Sequence, residues 1–418
     1  AAGGSSHSTF ADSFYIYDST NSRSTFRLDA NSRISLSNND SGTSNTVFGK
    51  NAGLSIASGT QYNTFIGEGV ADASLSNAIS NVGLGFNALT SLTSGDQNVA
   101  LGTQALNDVS TGSDNIAIGT QAGFNLTSAQ DNVAIGTSAM GLGVVTGDNN
   151  IGIGNFALYD LTSGGGNIGT GQSALENLTT GNLNVAIGQG AMVTATDVSN
   201  CVIIGTYAGD AINNTGADGT VAIGRDSLGA LTSGERNTAV GFESLKSNTI
   251  GDKNTAVGYQ ALESFNADTD AHGHNTAVGH NAMQGNATGT DNTAIGNQSA
   301  FSGTNNMTSG DNNTFIGSQT SPSSATPTNQ TVIGKGATGQ ADNSVTLGNA
   351  DVTDVYMAQD SGAVVHASGL KFDSDQTNNI DEANTLDDYE EGYHNIAVTG
   401  SSSGSMTFNT SFNQLSYT

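Results

Sequence analysis

The chain has 418 residues, longer than most single globular domains, yet only 11% of them are charged and 56 are glycine. Average domains carry roughly 25% charged residues, so this is a neutral, turn-rich chain that is poor in helix formers. Ten basic residues against 37 acidic ones give a net charge of -27, which repels phosphate backbones and anionic membrane surfaces and argues against nucleic acid as a partner. Cys201 is the single cysteine, so there is no intrachain disulfide and no zinc or redox spacing.

Residues 1–42 begin with AAGGSSHSTF, which has neither the charged start nor the apolar core of a signal peptide. That leaves export without such a leader, or a start after cleavage or inside a longer protein. No apolar run is long enough for a membrane-spanning helix, and membrane insertion is not expected.

From residue 43 to 350 one phrase recurs. GERNTAVGFESL at Gly234–Leu245 is nearly repeated as GDKNTAVGYQAL at Gly251–Leu262, and NVALGTQAL at Asn98–Leu106 reads the same way. The glycine closing each unit falls at Gly49, Gly67, Gly85, Gly102, Gly119, Gly136, Gly154, Gly171, Gly188, Gly205, Gly224, Gly241, Gly258, Gly279, Gly296, Gly317, Gly334 and Gly348. Most separations are 17 or 18 residues, with one of 19, two of 21 and a final one of 14. Regularly spaced Ile and Val set this array apart from a disordered polar linker.

Within a unit the residue before the glycine is large and apolar, as in Ile118 and Val257, except at Thr170. Two positions earlier stands a β-branched residue such as Ile116 or Thr238. Residues i and i+2 of a strand share a face, so this pair is expected to pack on one side, with Val257 turned inward. The Ala or Gly between them, such as Ala256, is expected to let another backbone approach. A second short strand, TQAL at Thr103–Leu106 for instance, and a polar turn complete the unit. Two short strands in 17 residues make one rung of a β-solenoid, and rungs about 4.8 Å apart stack through backbone hydrogen bonds. Eighteen rungs span about 85 Å at that spacing. The recurrent Asn (Asn98, Asn115, Asn132, Asn184, Asn237, Asn254) would stack as a side-chain ladder or cap the turn. The glycine permits a left-handed conformation or close approach at the corner. So thin a coil is marginal alone, and self-association is the expected remedy.

These units resemble the head repeats of trimeric autotransporter adhesins of the YadA type, which read roughly N-S-V-A-I-G, and similar repeats in tail-fibre and appendage proteins of bacteriophages. The resemblance covers Asn45–Gly348, and the units here are longer than those of the adhesins. It implies a left-handed parallel β-roll in a homotrimer. FYIYDSTNSRSTFRLDANSRISLS at Phe14–Ser37 makes residues 1–42 look like a fibre's connecting β segment. NSVTLGNADVTDVYMAQDSGAVVHASGLKF at Asn343–Phe372 and ANTLDDYEEG at Ala383–Gly392 resemble tail-fibre exits. Residues 351–382 then read as an exit segment, and 383–418 as the start of a carboxy-terminal β domain that continues past Thr418.

The expected function is structural: a rigid trimeric virion tail-fibre segment serving host attachment. Its partners would be other copies of itself, fibre or virion proteins at its ends, and a host surface glycan or protein receptor. The alternative is an extracellular adhesin head on a bacterial surface, binding host matrix or glycans, and a glycan-degrading tailspike carries less weight. Enzymatic activity is not expected, and Asp387, Asp388, Glu390 and Glu391 read as a solvated charge run. No cofactor is expected beyond a loop-bound divalent cation. His272 and His274, in the enlarged loop between Gly258 and Gly279 with Asp268 and Asp270, are the candidate metal ligands, since three copies of His-x-His would set six imidazoles around an axis. The G-D-x-N turns, such as Gly95–Asn98 and Gly251–Asn254, suit tight turns more than calcium. The aromatics Phe156, Tyr159, Tyr207, Phe242 and Tyr259 are candidates for stacking on sugars.

Overall fold

The computed structural model describes residues 44–267, 273–302 and 305–356, Gly42, and the backbone of three strands near the amino end. Those strands, Phe14–Asp18, Arg23–Leu28 and Ile34–Ser35, form an antiparallel meander with a register shift between Ile16 and Tyr17. The chain divides into two units, Ala1–Asp354 and Val355–Thr418. Most of the expected exit segment and all of the expected carboxy-terminal domain lie outside the described residues, as do Asp387, Asp388, Glu390 and Glu391.

The repeats form a parallel β-solenoid. Each unit contributes one short strand, paired in register with the strands of the units before and after it. The ladder runs from Thr46–Phe48 through Thr64–Ile66 and Ile116–Ile118 to Ser344–Leu347. All eighteen repeat glycines close a strand of this one sheet.

The faces of the strand are the reverse of those expected. Ala100, Ala117, Ala134, Ala239 and Ala256 are fully buried in the coil's own core, whereas Ile116 and Ile118 on either side of Ala117 are each 38% exposed. Val257 likewise points outward, at 36% exposure. The small residue is thus an inward one. It leaves room for a large side chain later in the same rung, such as Leu106, Leu158 or Leu245, all fully buried. Where the inward strand residue is large, the later one is small: Phe65 goes with Ala71, Ile203 with Gly209 and Phe315 with Ser321. Most rungs therefore pair one small with one large inward residue, as close packing demands, the exceptions being Ala117 with Gly123 and Ala294 with Ala300.

The segment after the glycine is not the second strand expected. In Thr103–Leu106, Gln104 and Leu106 take left-handed conformations, with φ of 58° and 48°. The alternation turns the chain so that the consecutive Ala105 and Leu106 both reach the core, which a strand cannot do. It still stacks on its neighbours, Gln104 N donating to Phe86 O at 2.8 Å and Leu106 N to Ala122 O at 3.0 Å. A left-handed leucine costs about 1–2 kcal/mol, a cost comparable to the gain from burying its side chain. Among the described residues, a second parallel pair occurs only at Ser55–Ile56 with Ser74–Leu75, apart from isolated bridges.

Two features stitch rung to rung. The repeat glycine adopts φ values closed to side chains, 129° at Gly136, and a Cβ there would lie 2.5 Å from Gly154 O. Both readings of the glycine, special conformation and close approach, therefore hold at once. The recurrent Asn is also both ladder and cap. Asn115 Nδ2 donates to Asn98 Oδ1 at 3.1 Å and to the turn carbonyl of Ala129 at 2.8 Å. Asn115 Oδ1 in turn accepts from Asn132 N and Nδ2. One such ladder runs from Asn45 to Asn184 and ends where Cys201 N donates to Asn184 Oδ1. A second runs from Asn237 to Asn313 and ends at Gln330. Cys201 and Thr220 occupy the rungs between them.

Candidate interaction surface

With alanine facing inward, the flanking residues of every strand line up outside. The result is a stripe of Val, Ile, Leu and Thr along the whole sheet, about 85 Å long and one short strand, about 10 Å, wide. Ile187 at 40% exposure and Ile295 at 42% belong to it. Its area, about 850 Å² by these dimensions, matches the roughly 800 Å² each partner contributes to a stable interface.

Each edge of the stripe is set by a corner residue. The residue after the repeat glycine forms one edge, and in four successive units it is Arg225, Phe242, Tyr259 and His280. Rung spacing brings these into a stack. Phe242 and Tyr259 have ring centroids 5.3 Å apart and planes within 8°, Tyr259 and His280 lie 5.1 Å apart within 10°, and the Arg225 guanidinium sits 6.0 Å from the Phe242 centroid. The residue before the recurrent Asn forms the other edge, which carries Arg236, Lys253 and His274 in the rungs of Phe242, Tyr259 and His280.

Of the two candidate metal ligands, His272 lies outside the described residues, as do Asp268 and Asp270. His274 lies at the strand edge, its Nδ1 3.3 Å from Asp291 Oδ1. Among the described residues no group of three or more His, Cys, Asp or Glu side chains is placed to hold a metal ion. The G-D-x-N aspartates are cross-braces between rungs: Asp96 Oδ1 accepts from Ile79 N at 2.7 Å, and Asp148, Asp252 and Asp311 do the same for Gln130, Glu235 and Thr290. Four spaced turns thus have one structural role.

The candidate sugar-stacking aromatics divide. Phe156 and Tyr159 meet edge to face at 5.3 Å, and Tyr207 lies over Gly190, where a Cβ would fall 2.7 Å from its ring. Phe242 and Tyr259 turn their faces to each other or to Arg225 and His280, leaving their edges as the accessible surface. Asp210, Asp226, Gly229, Ala230, Lys246 and Ser247 line a shallow recess. Burial, then the Asp226 charge, holds the Asp210 carboxyl above its ordinary range. Glu243 is held below its own by its hydrogen bond from Lys246, 2.7 Å away, and then by that from Gln260. Burial pushes the Cys201 thiol up to about 11.

The stack was legible in the sequence as R, F, Y and H at one column of the repeat, but it emerges only when units are read across rather than along. Comparison with protein-family models matches none of them, and comparison with curated proteins gives no significant match.

Proposed function

We propose that this chain is a rigid segment of a virion tail fibre, in which three copies pack side by side through the outward stripe and hold a host-attachment tip away from the particle. The observation that carries the reading is the stripe itself, a continuous face of Val, Ile, Leu and Thr too long and too regular to serve a lone coil. Stiffness follows from the parallel ladder, which resists bending through hydrogen bonds at every rung. The net charge of -27 keeps the other faces soluble and discourages lateral clumping. Fibre proteins join at the ends, and a host glycan or protein receptor is engaged by the fibre.

Sedimentation or native mass measurement of the purified chain tests the assembly, with a trimer expected and a stable monomer overturning it. Antibodies raised against the solenoid test the setting. They are expected to decorate fibres on particles and to block adsorption to host cells, and labelling of a bacterial surface instead would overturn the virion assignment.

A further inference from the structure

Three successive rungs combine features found together on no other described rung. Each has a basic or imidazole side chain at one end of its strand and an aromatic or imidazole ring at the other: Arg236 with Phe242, Lys253 with Tyr259, and His274 with His280. The two members of each pair flank opposite ends of a strand, as in Thr238–Val240. The cation that approaches Phe242 within the chain is instead Arg225, from the preceding rung. The basic side chains are exposed, at 67% for Arg236 and 43% for Lys253, with their charged ends 3.4 and 3.5 Å from the Glu235 carboxylate, and Tyr259 is 44% exposed.

Copies arranged in a ring about a shared axis meet through unlike surfaces, so one edge of each sheet faces the opposite edge of its neighbour. The stripe between the edges gives little axial information. A slip of one rung, about 4.8 Å, exchanges Val, Ile and Thr for Val, Ile and Thr. The three-rung motif does better, because a one-rung slip sets Arg236 against Arg225 in one direction or His274 against Asn297 in the other, and re-partners the remaining two pairs.

We infer that the Arg236–Lys253–His274 edge of one copy seats against the Phe242–Tyr259–His280 edge of the next at matching rungs, and that this contact fixes the axial register of the assembly. The inference rests on the side-by-side association proposed above. Because the ring faces are already stacked, the contact is made by ring edges. The aliphatic stems of Arg236 and Lys253 lie along them while their charged ends stay paired with Glu235.

Paired cysteines in the full chain, joined by a short bismaleimide, read the contact directly, and the native Cys201 is buried. K253C/Y259C is expected to yield a covalent trimer, while K253C and Y259C alone and the one-rung-offset pair K253C/F242C stay largely unlinked. Linking in either single variant, or equal linking in the offset pair, would overturn the inference. A remote pair then reports register. D114C/T120C is expected to link and D114C/T137C to fail in the native background, with the offset link appearing once F242S/Y259S/H280S is added. If that triple variant does not fold, R236S/K253S/H274S removes the opposite edge and should have the same effect. Unchanged register in a folded variant sinks the inference and leaves the trimer standing, whereas a monomeric native mass sinks the trimer itself.

Discussion

From Val82 to Val221 the first outward residue of every strand is Val or Ile, and from Thr238 to Thr331 it is Thr at every rung. Charge changes at the same place. No Lys or Arg occurs between Lys50 and Arg225, and four then fall within Arg225–Lys253. The asparagine ladder breaks there as well, at Cys201 and Thr220. Inward, most rungs of the two stretches share one design: buried Asn, buried small residue, buried Leu or Met compensating for it. Positions facing the coil's own core are held to a fixed volume and a fixed hydrogen-bond pattern, whereas positions facing away follow whatever lies outside. Inward substitutions should therefore act alike in both stretches, and outward ones should act through assembly alone.

The largest effects fall on the ladders. Asn115→Ala strands the Ala129 carbonyl and the Asn132 N–H and leaves Asn98 Oδ1 with the Asn115 N–H alone. Asn292→Ala does the same to the Gly310 carbonyl and the Asn313 N–H and leaves Asn275 Oδ1 with the Asn292 N–H alone. Each is expected to cost about 3 kcal/mol, because buried polar groups lose their partners without replacement. Urea unfolding of the two variants should give equal losses within error. A much smaller loss in either would break the claim of a common inward design.

Volume exchange is next. Ala239→Phe alone overpacks its rung and is expected to cost about 2 kcal/mol. Combined with Leu245→Ala it imitates the native pairing of Phe65 with Ala71, and most of the loss should be recovered in a double-mutant cycle. Additive losses would show that the compensating pairs are coincidental.

That pairing also explains what the sequence concealed. Repeat length, glycine corner and asparagine ladder were legible because each recurs at a fixed interval and has one physical use. The direction of the strand was not. Ile116-Ala117-Ile118 is apolar throughout and lacks the alternation that tells inside from outside. Alanine was read as a place for another backbone because the leucine that fills the space beside it comes later in the rung. The left-handed Leu106 was equally hidden, since nothing in leucine's own preferences announces that conformation. Among candidate site residues, His274 proved to be an edge residue beside Asp291, and the ring stack went unread because its members stand one full rung apart in sequence.

Outward exchanges come third in size. Val99→Thr with Ile116→Thr and Val133→Thr should leave the midpoint of an unassociated chain nearly unchanged. In the assembled form the same changes should weaken association by about 1 kcal/mol per site, the worth of the apolar area removed. Thr238→Val with Thr255→Val should strengthen it similarly. Sedimentation equilibrium separates the two, and outward changes that destabilise a lone chain would overturn the division between faces.

The smallest effect contrasts two aspartates, one in the first stretch and one in the rung after the second. Asp160 Oδ1 is buried without a hydrogen-bond partner, and burial, then the Glu176 charge, raises its pKa above the ordinary 3.8. The folded chain therefore holds this proton more tightly than the unfolded one. Stability falls as pH rises through the window above about 3.8 and carries a constant penalty beyond it. Asp342 is the opposite case. The Thr328 N–H at 2.9 Å, and then the Gln330 amide, lower its pKa, so its contribution is present at neutral pH and lost as pH falls below about 3.8. Asp160→Asn should raise the thermal midpoint at pH 7, and Asp342→Asn should lower it. Both differences should fade in acid, because neutral carboxyls and amides make similar demands on their surroundings. Two shifts of the same sign at pH 7 would mean that the local hydrogen bonds, rather than burial against capping, had been misjudged.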